Sequence, residues 1–320
     1  MLEGNPIIIF KIAGITGIVI LFIRLFARKM PVAANLVTPA HLPSDRKLGQ
    51  YRVMETVGIG GNATVYRALN PESETVAIKV PHLETMRVKN FRKVFEAEAE
   101  AGVDLVHPSI VKVLGSGEFT DPGGRTVPFF VMENLEGEDV RDILKREGLL
   151  PPQRVAQIAR VVADTLSWAH QRGVIHRDIS PQNIFITKSK QIKVMDFGIA
   201  TAFKRGDRKG ASGGALNFGT PAYLAPERTS RTDSDPRSDL YSLGCVMYEM
   251  VTGHPPFTGE SPRAVLMLHR KAAVLPPSRK IEIPPQLEKI ILKLLEKDPE
   301  KRYQDAGQVS AALADLIPSV

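Results

Sequence analysis

The chain changes its hydrophobic period along its length, and the change separates two kinds of structure. From Tyr51, "YRVMETVGIGG", "NATVYRAL" and "TVAIKV" alternate β-branched or aromatic residues with polar ones, interrupted by Gly58, Gly60 and Gly61 and by "NPES". This pattern predicts three antiparallel strands joined by tight turns. In "PPQRVAQIARVVADTLSWAHQRG" (151–173) the period is 3.6: Val155, Ile158, Ala159, Val162, Leu166 and Ala169 share one helix face. Pro151 and Pro152 open that helix and Gly173 closes it. Further on, "NIFIT", the turn "KSKQ" and "IKVMDFG" read as a short hairpin. "PPQLEKIILKLLEK" reads as a helix with Leu287, Ile290, Ile291, Leu294 and Leu295 facing the core.

Before these elements, residues 6–26 ("PIIIFKIAGITGIVILFIRLF") form an apolar stretch that as a helix spans roughly 31 Å, near the thickness of a bilayer core. Lys11 and Arg24 lie towards its ends, where long side chains reach the headgroups, and the uninterrupted apolar part is Ile12–Ile23. Arg24, Arg28 and Lys29 follow it, which puts the rest of the chain in the cytoplasm. A cleaved signal peptide is the rival, with small residues in "PVAAN", but no basic region precedes the apolar run. The expectation is a single-pass anchor over residues 1–29 and an extended linker over 30–48 containing Pro31, Pro39 and Pro43. About five residues precede the span, so no extracellular sensor domain is expected in this chain.

Composition narrows the function classes. The formal net charge of the 320 residues is +7, but residues 1–47 hold six Lys/Arg against Glu3 and Asp45, leaving only +3 for the remainder. No basic stripe with exposed aromatics is visible there, so nucleic acid is not an expected partner. Cys245 is the single cysteine, set in the apolar run "YSLGCVMYEM"; it allows no intrachain disulfide and no Cys-based metal cluster.

Several residues carry chemistry. A turn holding Gly58, Gly60 and Gly61 can lie close to phosphate oxygens and offer backbone N–H donors, although a plain tight turn looks the same. Lys79 follows one strand later and needs an acidic partner. "RKVFEAEAEAG" offers Glu96, Glu98 and Glu100, and helical spacing alone does not choose between them. Asp178 and Asn183 flank a loop before one strand of the hairpin, and Asp196 follows its partner, an arrangement suited to Mg²⁺ and one general base. His170 and His176 have no Cys or His pair nearby, which argues against a metal hydrolase; His176 reads as a structural hydrogen-bonder.

Together, "GIGGNATVY", "VAIK", "HRDISPQN" (176–183), "DFG" (196–198), "GTPAYLAPE" (219–227) and "SDLYSLG" (238–244) closely resemble a eukaryotic-type (Hanks-type) protein kinase, over about residues 49–317. With the apolar start, the chain is most similar to bacterial transmembrane Ser/Thr kinases. The resemblance implies an α+β, bilobal fold: a small β-rich N-lobe (about 49–132), a hinge (133–137) and a larger, mainly helical C-lobe (138–317). It implies transfer of the γ-phosphate of ATP to Ser/Thr hydroxyls of proteins, the chain itself included, with Mg²⁺ as cofactor and Mn²⁺ as the alternative. It also implies that Val57, Gly58, Ile59, Gly60, Gly61, Asn62, Ala63, Thr64 and Val65 cover the phosphates, with Val65 and Ala77 against the adenine. Met132 matches the gatekeeper, and Glu133 and Leu135 the hinge. Lys79 would hold the phosphates and pair with Glu98; Asp178 would accept the substrate proton; Asn183 and Asp196 would bind the metal. Thr220 belongs to the segment that resembles Ser/Thr rather than Tyr kinases. Glu227 is expected to pair with Arg302, and Asp239 to brace the catalytic loop. Homodimers are common in such kinases, although no sequence device here requires one.

Two positions depart from the family pattern. Ala63 replaces a glycine, small for small. Ser180 stands where a lysine usually neutralises the transferred phosphoryl group, and losing one such stabiliser costs ~3–4 kcal/mol if nothing replaces it. A pseudokinase scaffold is therefore one alternative; a small-molecule phosphotransferase is another, opposed by the intact "GTPAYLAPE". Between Phe203 and Gly219 the only hydroxyl is Ser212, near Lys204, Arg205, Arg208 and Lys209. It reads either as a flexible Gly-rich loop or as a switch in which phosphate on Ser212 pairs with Arg177 and these bases. On the switch reading, a phosphosite map of expressed protein shows Ser212 modified, and full activity of Ser212→Ala overturns it.

Overall fold

A computed structural model of the chain describes residues 46–87, 91–197, 220–229 and 235–317. The apolar span at 6–26, Gly198 and Ser212 with its basic neighbours lie outside them. The chain divides into two compact units, Met1–Thr38 and Pro39–Val320, and every described residue belongs to the second. Among the described residues no helix is long and apolar enough to cross a membrane.

The alternating segments form an antiparallel sheet: β1 (Lys47–Leu48), β2 (Tyr51–Ile59), β3 (Ala63–Leu69), β4 (Thr75–Pro81), β5 (Val113–Thr120) and β6 (Thr126–Glu133). Their spatial order is β1-β2-β3-β4-β6-β5, so the three strands expected from the pattern gain β6 and β5 beside β4. Because side chains alternate across a strand, register decides what each face does. Tyr66, Ala68, Val76, Ile78, Val80, Phe129 and Val131 close one core. In the pairs Val65↔Lys79, Arg67↔Ala77 and Ala77↔Met132, Lys79, Val65, Ala77 and Met132 fall on the opposite face. The sheet thus has one face that closes its own core and an opposite face that carries Lys79 and, through Phe130 and Met132, receives the helix that follows. Between β4 and β5 come a single turn, α1 (Leu83–Met86), and α2 (Phe91–Asp104), whose Phe91, Phe95 and Ala99 pack against Phe130.

The rest is mainly helical: β7 (Gly137–Asp139), α3 (Val140–Glu147), α4 (Pro152–Gln171), β8 (Ile184–Thr187), β9 (Ile192–Val194), α5 (Arg237–Thr252), α6 (Pro262–Lys271), α7 (Pro285–Leu294) and α8 (Ala306–Ala314). The six residues assigned to the inner face of α4 are all buried, as are the five named for α7 and its end. α5 is buried along nearly its whole length, with Cys245 inside the core it shares with α4 and α7. Gly244 permits that packing, since a Cβ there would lie 2.7 Å from Leu294 Cβ. At Gly137, which opens the small β7-β8-β9 sheet, φ is +155° and a Cβ would lie 2.1 Å from the Ile186 carbonyl oxygen; only glycine fits.

The expected partnership of Glu227 and Arg302 is a two-point bridge: Nη1 donates to Oε1 and Nη2 to Oε2, each at 2.8 Å. Burial alone would lift the Glu227 carboxyl, but Arg302, aided by the Ser238 hydroxyl, holds it below its ordinary value. Arg302 also donates to the carbonyls of Arg237, Glu296 and Lys297, tying the start of α5 to the segment after α7. Removing one member of such a pair strands the other charge. Arg302→Ala is expected to lower stability by about 3–5 kcal/mol in chemical denaturation.

Candidate active site

Lys79 leaves the open face of β4 and meets two carboxylates that come from distant parts of the chain. Its Nζ donates to Glu98 Oε1 at 2.9 Å and to Asp196 Oδ1 at 2.8 Å. The choice among the three glutamates of α2 is made by the helix face. Glu98 is buried beside Phe95 and Ala99, Glu96 turns out to Arg92, and Glu100 is exposed. Burial favours a neutral lysine, but Asp196 and Glu98 together hold the Lys79 ammonium well above its ordinary value. Burial lifts the Glu98 carboxyl, and Lys79 offsets part of that rise.

Asp178 and Asn183 are brought together by a 3₁₀ turn, Pro181–Asn183, which folds the loop back on itself. Asn183 Nδ2 donates to the Asp178 carbonyl at 2.7 Å and to Asp178 Oδ2 at 3.1 Å, so its amide oxygen remains to accept or to ligate. Burial pushes the Asp178 carboxyl above its usual value; the Asn183 amide and the Thr220 backbone N–H oppose the shift, and Asp196 reinforces it. A carboxylate so placed is a better proton acceptor than one in water.

The loop is held from below by Asp239. Fully buried at the start of α5, it accepts the backbone N–H groups of His176 (2.8 Å) and Arg177 (2.7 Å) and bonds the His170 ring at 2.9 Å. His176 is indeed a structural bonder: Nε2 meets the Met195 carbonyl oxygen at 2.8 Å and Nδ1 accepts from Asp178 N at 3.2 Å. Both Arg177 (φ +67°) and Asp196 (φ +60°) sit in left-handed backbone, which costs non-glycine residues of order 1–3 kcal/mol and is typical of functional sites.

A family model for the protein kinase domain matches residues 51–312. The chain belongs to the protein kinase family. The "Serine/threonine-protein kinase PknB" of Mycolicibacterium smegmatis is 41% identical over 280 residues, covering 87% of this chain and 44% of that protein. The protein of the same name from Mycobacterium tuberculosis is 40% identical over 280 residues, with the same coverage. The chain thus spans less than half the length of these curated relatives. A crystal structure of Rad53 1–466 in complex with AMP-PNP has a TM-score of 0.64 at 27% identity, covering 82% of this chain and 64% of that one.

Within the kinase fold the remaining residues of the expected site are distributed unevenly. Gly58 and Gly61 face open space, with nothing within 4 Å of an added Cβ, and Val57 and Ile59 are exposed, so this rim is open to a ligand. Gly60 is less free: its N–H donates to the Ala63 carbonyl at 2.9 Å within the turn. The Asn62 carbonyl is likewise taken, by His82 N at 2.8 Å. Ala63 is buried, and Thr64 turns inward, its Oγ1 3.0 Å from His82 Nε2, so any contact Thr64 makes with a nucleotide is through its backbone. Glu133 Oε1 accepts from Lys112 N (2.9 Å) and from Lys193 Nζ (2.7 Å), and its own N–H donates to the Lys112 carbonyl at 2.9 Å; Leu135 is half-buried.

Lys193, His170 and Arg228 support these groups and escaped the sequence reading. Lys193 had a signal: in "IKV" it occupies an inward position of a short strand, where a charge must find a partner. The other two had none, because their partners are 69 and 51 residues away.

Ser180 is 1% exposed, and its hydroxyl has no hydrogen-bond partner among the described residues. It therefore supplies no charge, and no bond to any described residue. Ser180→Ala is expected to leave both turnover and thermal stability unchanged within about a factor of two in rate, since no bond is lost; a tenfold loss in a steady-state assay would assign the hydroxyl a role.

Proposed function

We propose that the protein is an ATP-dependent serine/threonine protein kinase that transfers the γ-phosphate to Ser/Thr hydroxyls of protein substrates, itself among them. The observation that carries this reading is the closed Lys79–Glu98–Asp196 set beside the Asp178–Asn183 loop. A decayed scaffold would have no reason to keep both bonded sets, which weighs against the pseudokinase alternative. Family membership and the PknB relatives support the same conclusion.

In this reading Asp178 accepts the substrate hydroxyl proton, and Lys79, fixed by Glu98, binds the phosphates as a charge. Residues 57–65 cover the nucleotide, with Val65, Ala77 and Met132 lining its base and Glu133 and Leu135 meeting it through the hinge. Asn183 and Asp196 would hold Mg²⁺, or Mn²⁺ in its place. The donor set fits that role: a free amide oxygen and one carboxylate suit an ion that keeps waters and phosphates as its other ligands. Among the described residues no cluster of three or more His, Cys, Asp or Glu forms a protein-only metal cage. When bound, the ion neutralises charge on the phosphates; the chain's own residues orient the nucleotide, exclude water and take the proton. Thr220, through its N–H against Asp178, ties the peptide-docking segment to the base.

The same reading keeps the domain limits drawn from the sequence: anchor 1–29, linker 30–48 and kinase domain 49–317, with residues 6–26 in the cell membrane and the kinase in the cytoplasm. Its motivation is the apolar run and the basic residues after it. Recovery of the full chain in the soluble rather than the membrane fraction would overturn the anchor.

Incubated with labelled ATP and Mg²⁺, the full chain is expected to label itself or a generic basic protein. Asp178→Asn should reduce that rate by about 10²–10⁴-fold. Equal incorporation by wild type and Asp178→Asn refutes the assignment.

A further inference from the structure

Arg177, the residue that leads into Asp178, is gripped on both sides, and the second grip is not explained by any role assigned so far. Arg177 holds a left-handed φ of +67° that its side chain disfavours. Its N–H donates to Asp239 Oδ1 at 2.7 Å, which fixes one side. On the other side its carbonyl accepts a hydrogen bond from Arg228 Nη1. That carbonyl belongs to the peptide bond preceding Asp178, so any rotation of it swings the Asp178 Cα and carboxylate.

Arg228 is itself mounted on a rigid support. It lies in the 3₁₀ turn Pro226–Thr229, where its N–H donates to the Ala225 carbonyl at 3.1 Å and Thr229 Oγ1 to the Pro226 carbonyl at 2.7 Å. The preceding residue, Glu227, is locked to the buried Arg302. Burial pulls the Arg228 guanidinium below its ordinary pKa, and the carboxylates of Asp239, Asp178 and Glu227 offset part of that fall. The turn and the catalytic loop are thus joined by one directed, charge-assisted bond from a fixed donor to a strained acceptor.

We propose that Arg228 is a positioning residue for phosphoryl transfer: by holding the Arg177 carbonyl from the peptide-docking segment it keeps Arg177 in its left-handed conformation, and so sets where the Asp178 carboxylate stands. Arg228 touches neither nucleotide nor acceptor on this account. Its loss should therefore change turnover and leave nucleotide binding alone. The proposal rests on the kinase reading above.

The full chain is compared with Arg228→Met and Arg228→Lys, with Asp178→Asn as the inactive reference. Turnover, KM for ATP, the stoichiometry and affinity of a fluorescent ATP analogue, and the thermal midpoint are measured. Arg228→Met is expected to lower kcat by about 10–100-fold, the loss typical of a misplaced reacting group, with KM for ATP and analogue binding within twofold of wild type. Arg228→Lys keeps a cationic donor able to reach one carbonyl and should recover at least a third of the wild-type kcat. A kcat for Arg228→Met within threefold of wild type overturns the proposal. So does a loss that tracks a fall in the stoichiometry of analogue binding, which would mean Arg228 only keeps the protein folded. A wild type no faster than Asp178→Asn overturns the kinase reading and this proposal together; an active wild type matched by Arg228→Met overturns this one alone.

Discussion

One ammonium group joins three distant parts of the chain at a single point. Lys79 stands on β4, Glu98 on α2 and Asp196 two residues beyond β9, separated from Lys79 by 19 and 117 residues. Two carboxylates held this close repel each other, and burial penalises each; only the cation between them makes the arrangement favourable. The position of α2 relative to the sheet, and of Asp196 relative to both, is therefore an electrostatic outcome as much as a packing one. Phe95 and Ala99 supply the apolar side of the same contact against Phe130.

The second constraint is on the main chain. Asp239 is a buried carboxylate with backbone N–H groups and an imidazole as its partners, and burial would lift its pKa. The His170 contact, first among several that favour the ionised form, holds it below the usual aspartate value instead. The charge kept in this way can grip two consecutive amides and hold the loop in a conformation that side-chain packing would not select. Strain at Arg177 and Asp196 is located beside Asp178 and Lys79, the groups at the centre of the candidate site. Rigid helices α4 and α5 supply the opposing frame, and neither carries a group expected to react.

Sequence and structure agree most where period and burial are the same statement. The α4 positions Val155 to Ala169 and the α7 positions Leu287 to Leu294 could be read directly, because an amphipathic stripe has one way to be satisfied. The strand alternation was legible, but strand order was not: β6 lies between β4 and β5 through a non-local pairing that no local pattern encodes. Of the site, Lys79, Asp178, Asn183 and Asp196 were visible as residue types in an order. Glu98 could be separated from Glu96 and Glu100 only by resemblance, since the deciding fact is which helix face meets Phe130 and Lys79. Ser180 stood out in the sequence as a missing charge; in the fold it is a small buried residue whose hydroxyl bonds nothing among the described residues. Thr64 looked like part of a phosphate loop, yet alternation along β3 turns its side chain to His82.

The burial of α5 gives the protein a built-in sensor of its own integrity. Cys245 is the chain's single cysteine, and in the folded state its sulfur has no contact with solvent. Burial also pushes the thiol well above its ordinary pKa, so the reactive thiolate is suppressed along with access. A thiol-selective reagent therefore finds no accessible sulfur until α5 separates from α4 and α7. The rate at which the sulfur is modified is then a clock for the opening of the larger lobe, read without any added label.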